Sequence, residues 1–154
     1  MNERLSSIVD LEKYPIHDLD SPVIKDLISR CKEQLNNNSC AVIKNFILPK
    51  SLMTMNKELE CQLDEVYMSK EKINAYLYAK DDPSLPKENP KRIFMERYNG
   101  YLNSDCFSEN SEMKFLYEAD ELLKFVSQCL GVSPIYRWAD PLARHAYNVM
   151  EPEG

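Results

Sequence analysis

Three glycines, Gly100, Gly131 and Gly154, are all that the 154 residues contain, where average usage would give about eleven. Tight hairpin turns draw on glycine for backbone conformations with positive φ. A complete barrel or sandwich with many short turns is therefore hard to build from this chain. Either helices dominate, or the turn-rich part of the domain is absent.

Helical signals are clear. Ser21-Pro22 pairs an N-cap serine with a proline at the first helical position. Ile24, Ile28, Cys31 and Leu35 then lie on one stripe, and the helix is expected to stop in Asn36-Asn37-Asn38. A second amphipathic helix follows Pro49 and carries Leu52, Met55, Leu59, Leu63 and Val66 on one face. Ser111 opens a third, with Phe115, Ala119, Leu122, Val126 and Cys129 at helical spacing and Gly131 as its left-handed C-terminal cap. Residues 1–20 read as an irregular lead-in.

Strand signals are shorter. Cys40-Ala41-Val42-Ile43-Lys44 is a β-branched run bounded by polar residues. Residues 70–80 read as either a helix end or a strand. In 81–90, Pro83, Pro86 and Pro90 remove backbone donors and predict a loop. Residues 91–98 alternate, with Ile93, Met95 and Arg97 on the apolar side, and Asn99-Gly100 is expected to turn the chain. Residues 134–140 and 144–150 read as two strands divided by Asp140-Pro141, with Trp138 as a core anchor or a pocket wall. Glu151-Pro152-Glu153-Gly154 has the residue order of a type I turn.

Charge and cysteine content narrow the function. The chain carries 19 Lys+Arg against 25 Asp+Glu, a net −6 without a basic block, which argues against nucleic acid as a partner. With 44% hydrophobic and 29% charged residues the balance is that of one globular domain rather than an acidic tail. No apolar run approaches the roughly 18 to 20 residues of a membrane span, and the N-terminus lacks a signal-peptide core. No membrane partner and a cytoplasmic location are the expectation. The five cysteines, odd in number and without C-x-x-C, are expected to be reduced and mostly buried.

Few residues carry chemistry. No glycine-rich phosphate loop occurs. His17 reads as a surface loop residue, whereas His145 reads as a pocket-wall imidazole bonded to a neighbour or as a substrate contact; no metal-ligand spacing surrounds either. Arg92, Arg97, Arg137 and Arg144 fall in or beside strands, where a guanidinium presents a fork to carboxylates. For Arg97, facing the apolar side, two readings stand: an internal salt bridge with Glu65 or Glu96, or an anionic ligand. In the last strand, His145, Tyr147 and Val149 share one face, and Ala146, Asn148 and Met150 the other. The acidic groups Asp81-Asp82 and Glu118-x-Asp120-Glu121 read as a loop and a solvated helix face.

The element order around Ser-Cys-Ala-Val-Ile-Lys-Asn-Phe-Ile-Leu-Pro-Lys-Ser-Leu (39–52), flanked by helices, resembles the N-terminal entry of iron(II)- and 2-oxoglutarate-dependent oxygenases. The run Tyr-Arg-Trp-Ala-Asp-Pro-Leu-Ala-Arg-His-Ala-Tyr-Asn-Val-Met (136–150) is similar to the strand pair before the first metal ligand of that family. It is nearest to the subgroup of amino-acid hydroxylases and free-amino-acid halogenases. The resemblance implies an α+β fold: the N-terminal helices and first strands of an incomplete double-stranded β-helix, or jelly roll. Residues 1–90 would form the entry and loop, and 91–154 the first core strands and their supporting helix. For a complete domain it implies iron(II), 2-oxoglutarate and a small amino-acid-like substrate, with hydroxylation or halogenation of a C–H bond. The iron site H-x-D (H-x-G in halogenases) with its distal His is missing here. The expectation is thus an inactive N-terminal portion without iron or 2-oxoglutarate of its own. Its present residues would supply a rim: Arg97 for a substrate carboxylate, and His145, Tyr147 and Asn148 for substrate or cofactor. The alternative expectation is a non-catalytic cytoplasmic α+β interaction module.

Overall fold

The first residues are helical, not irregular. In the structure, a computed structural model describing residues 3–149, α1 spans Glu3–Ile8 and buries Leu5 and Ile8 completely. Six residues are too few to display a period or to be stable alone, so tertiary packing makes this helix. The chain then runs through the core, burying Val9, Leu11, Tyr14 and Ile16. Its backbone finds partners in residues 46–48, far along the chain: Asp10 N–H donates to the Phe46 carbonyl (3.0 Å) and Leu48 N–H to that of Ile8 (2.8 Å). Buried irregular backbone needs such partners.

Helix α2 (Pro22–Asn38) begins and ends as expected. The Ser21 hydroxyl accepts from Ile24 N–H at 3.3 Å, and Ser39 closes the helix at φ 56°. Ile24, Leu27, Ile28 and Cys31 are its buried face. The strand expected at 40–44 is absent: Val42 is 64% exposed, and only Ile47 forms a bridge, with Val9. β-branched residues favour a strand only where another strand is aligned to pair with them.

Helix α3 (Pro49–Glu60) turns Ser51 and Met55 inward. The longer stripe expected here fails because the helix ends at Glu60; Leu63 begins a 3-10 turn, and both Leu52 and Leu63 are about half exposed, at 48% and 49%. Then comes β1 (Tyr67–Asn74), which resolves the first half of the ambiguous 70–80 segment as strand, with Asn74 accepting from Tyr76 and Tyr78 N–H to turn the chain. The proline-rich loop is held by a fork between Arg92 and Asp81, at 2.8 and 2.7 Å.

Strand β2 (Phe94–Leu102) pairs antiparallel with β1 from Tyr67↔Tyr101 to Asn74↔Phe94. It runs straight through Asn99-Gly100 instead of turning there. A β-carbon on Gly100 would overlap Met68 Sδ and lie 2.6 Å from Val66 Cγ1, so glycine serves close approach here rather than a turn. The expected inward face of this strand is also reversed. Ile93 and Met95 are each 55% exposed and Arg97 is exposed, while Gly100 and Leu102 are buried.

The third expected helix is two. Helix α4 (Glu112–Glu118) starts at the Ser111 cap, and α5 (Asp120–Leu130) ends at Gly131 with φ 68°. Between them Ala119 is extended, at ψ 121°. Arg137 explains the break: its guanidinium donates to the Tyr117 and Glu118 carbonyls (3.1 and 2.8 Å) and to Asp120 Oδ1 (2.8 Å). It thereby satisfies orphan carbonyls at the end of α4. Residues 134–140 follow this junction and form no strand. Trp138, 66% exposed, is not a core anchor.

Strand β3 (Tyr147–Val149) pairs antiparallel with Gly100–Leu102, giving the sheet order β1-β2-β3. The fold is α+β, with five helices and a three-stranded antiparallel sheet among the described residues. The turn expected at 151–154 lies outside the described residues. The main core is helical, drawn from α1 to α5 and the 9–16 segment, with Phe46 stacked on Phe125 at 6.3 Å. The sheet adds few buried apolar groups, chiefly Ile73 and Leu102. No described helix is long and apolar enough to cross a membrane.

Replacing Gly100 with alanine should cost about 1–3 kcal/mol, because Met68 and Val66 must both give way. Urea unfolding of the variant measures it; an unchanged midpoint would contradict the close approach.

Candidate functional site

Asp140-Pro141 builds the site by bending the chain back toward β2. Leu142 N–H donates to Asp140 Oδ1 at 2.8 Å, an Asx turn. Ser104 then ties the bend to the end of β2: its N–H donates to the Leu142 carbonyl at 3.0 Å and its hydroxyl to that of Pro141. The bend delivers His145 into an aromatic setting. Its ring lies 5.9 Å from Phe107 and 5.7 Å from Tyr117, and Phe107 also meets Tyr147 at 5.2 Å.

His145 is 6% exposed, and neither ring nitrogen has a hydrogen-bond partner among the described residues. The neighbour expected to bond it is therefore missing. Buried polar groups almost always find partners, so this imidazole is an exception that asks for a cause. Burial lowers its pKa below the ordinary 6.5; the Glu118 carboxylate pulls the other way, and Lys114 and Arg144 push in the same direction as burial. Burial thus favours the neutral ring. Beside it opens a cleft of about 350 Å³, walled by Ser104, Asp105, Phe107, Lys114 and Arg144.

The four expected rim residues divide between two places. His145 and Tyr147 gather on Phe107, and the Tyr147 hydroxyl points to the Met55 carbonyl at 3.5 Å. Burial pushes the Tyr147 pKa up, with Glu58 adding to it. Asn148 is exposed and sits opposite Tyr101, on the other face of β3 by strand alternation. Arg97 shares that outer face and stands opposite Glu71 in register. An internal salt bridge to Glu96 is not what forms, since Glu96 pairs with Lys70 at 3.6 Å. Solvated as it is, Arg97 has no need of a buried partner.

Sequence reasoning missed Phe107, Tyr117 and Lys114. Phe107 lies between elements and so belongs to no periodic pattern; the other two sit off the apolar stripe of their helix. Two acidic residues near the site are paired: Glu118 meets Arg144 at 3.6 Å and Asp120 meets Arg137. His17 is exposed in its loop, as expected.

The cysteines are all free, yet only Cys31 and Cys129 are buried, while Cys40 and Cys61 are exposed. The expectation of mostly buried thiols fails because 40 and 61 fall just beyond helix ends. Burial, reinforced by Cys31, pushes the Cys129 thiol up to about 12. Cys106 is also raised, first by burial and then by Asp105. Raised thiols are poor nucleophiles. Among the described residues no group of three or more His, Cys, Asp or Glu is placed to hold a metal ion. No protein-family model, curated protein or solved structure matches the chain.

With the folded pKa of His145 below 6.5, the unfolded chain takes the proton first, so stability falls as the pH drops below 6.5. His145→Phe removes that group. Urea midpoints from neutral pH to about pH 5 should decline more steeply for the parent than for the variant; parallel declines would refute a neutral buried imidazole.

Proposed function

We propose that the chain is the N-terminal portion of an iron(II)- and 2-oxoglutarate-dependent oxygenase domain of jelly-roll type, acting on a small amino-acid-like substrate by hydroxylation or halogenation. The residue order at 39–52 and 136–150 suggests the family, although residues 40–44 and 134–140 form no strand. The observation that carries the reading is the sheet. Its strands bury little beyond Ile73 and Leu102, and Ile93, Met95 and Tyr67 are 55%, 55% and 61% exposed. Residues 94–99 of β2 pair with β1 but not with β3. A three-stranded sheet with so little cover needs further strands or a second layer.

The described residues do not fit the iron: they offer no cluster of ligands. In this reading the chain's part is walls and substrate contacts. Arg97 and Asn148 on the outer sheet face are the contacts for a substrate carboxylate and the cofactor rim. His145 and Tyr147 support the end of the sheet from behind through Phe107.

A second reading, a non-catalytic interaction module, draws support from Tyr136 and Trp138, 83% and 66% exposed on one segment. Such a module should unfold cooperatively and bind little hydrophobic dye, whereas an oxygenase portion with bare sheet faces should bind dye strongly.

Sequencing the native transcript through and past the codon for Gly154 tests the proposal. A frame continuing into H-x-D or H-x-G supports it; a stop codon there sinks it. In the longer product, Arg97→Ala should weaken substrate binding about tenfold or more, the loss of one charge-assisted contact. An unchanged affinity would remove Arg97 from the rim.

A further inference from the structure

Glu71 and Arg97 stand directly opposite each other near the middle of the β1–β2 ladder. Both residues are exposed, yet neither makes an ion pair or a hydrogen bond among the described residues. Strand alternation puts them on one face with Tyr67, Tyr101 and Met95. Tyr67 and Met95 are 61% and 55% exposed, and the Tyr67 and Tyr101 rings meet at 5.4 Å. Ile73, opposite Met95, is already buried. The open part of the face therefore has an aromatic end, a central pair of opposite charges and Met95 beyond them. It carries no net charge.

The other face is built differently. Gly100 and Leu102 are buried there, and its exposed part sets Lys70 and Lys72 against Glu96 alone. A copy of the chain laid on that face would meet an excess of positive charge.

A neutral face that carries both signs side by side can complement itself. Packed sheets keep their strands within about 30° of each other, and most closed assemblies of identical chains are two-fold pairs. Consider an axis that runs along the strands, midway between β1 and β2, in the plane where two such faces meet. It keeps position along the strands and exchanges one strand for the other. Glu71 then lies over the partner subunit's Arg97, Arg97 over the partner subunit's Glu71, and Tyr67 over the partner subunit's Tyr101. An axis across the strands instead sets like charge on like charge, which repulsion disfavours.

We propose that this face docks a second copy of the chain, as a symmetric sheet-on-sheet dimer closed by two Glu71–Arg97 pairs. Two strands make a small interface, in the class below about 1,200 Å², so dissociation in the micromolar range is expected. The inference stands on the face alone. A longer oxygenase product would lay its own strands there, so the 154-residue chain is the one to test, and failure of the dimer leaves the oxygenase reading untouched.

Sedimentation equilibrium of the 154-residue chain should fit a monomer–dimer model with a Kd of about 10 μM. Arg97→Glu and Glu71→Arg each turn both attractive pairs into repulsive ones, and each should raise that Kd about tenfold or more. The double variant Glu71→Arg/Arg97→Glu restores both pairs with their signs exchanged, and should return the Kd to within about threefold of the parent. A chain still monomeric at about 300 μM would overturn the proposal. So would a dimer indifferent to the single reversals, or one that the double variant fails to restore. Association that runs on without a dimer end point would also overturn it, in favour of pairing along open strand edges.

Discussion

The burial of Ile8, Val9, Leu11, Tyr14 and Ile16 against the helices is the constraint on which the rest of the structure depends. An irregular segment enters a core only when its backbone is satisfied. Here the 46–48 segment provides the partners through the Phe46 carbonyl and Leu48 N–H. The Tyr14 hydroxyl adds a bond to the Lys44 carbonyl at 2.8 Å. Once those residues are committed to pairing with the N-terminal segment, 40–47 has no part in the sheet. The same burial seats α1 beside α3 and α4. Ser51 bonds the Ser7 carbonyl at 2.9 Å, and Arg4 lies 4.4 Å over the Phe115 ring.

A second tie joins the helices to the segment leading to β3. Arg137 closes the end of α4 and engages the first residue of α5, so the chain from 131 onward must follow that junction before it can return to the sheet. Tyr136 and Trp138 flank Arg137 and are carried outward with the segment. The bend at Asp140-Pro141 then redirects the chain, and Ser104 anchors it beside β2. His145 is buried as a consequence of that path. Its ring loses water on both nitrogens and packs against the Phe107 and Tyr117 rings instead, which disfavours the charged form.

The sheet is the least covered part of the molecule. β1 and β2 are long and fully paired with each other, but hydrogen bonding fixes their register without hiding their side chains. Stability therefore rests on the helical core, to which Tyr147 ties the sheet through Phe107 and the Met55 carbonyl of α3. This division is what makes both functional readings physically sensible, since either further strands or a partner would remove exposed Ile93, Met95 and Tyr67 from water.

Features that depend on a few adjacent residues were legible in the sequence: the Ser21 and Ser111 caps, the Gly131 terminus, the proline loop, and the existence of strands near 94 and 147. Each is local chemistry, in which a hydroxyl meets an amide three residues on or a missing β-carbon permits positive φ. The candidate site was legible only in part, as His145 and Tyr147. Their companions Phe107, Tyr117 and Lys114 come from other elements. Tertiary structure alone decided the inward face of β2, the passage through Gly100, the break at Ala119 and the exposure of Trp138. In each case the deciding partner lies far along the chain. Met68 opposes Gly100 across a strand pair, and Arg137 reaches back 20 residues to the Tyr117 carbonyl. Alternation and helical periodicity describe which residues share a face; which face turns inward depends on where the core already is.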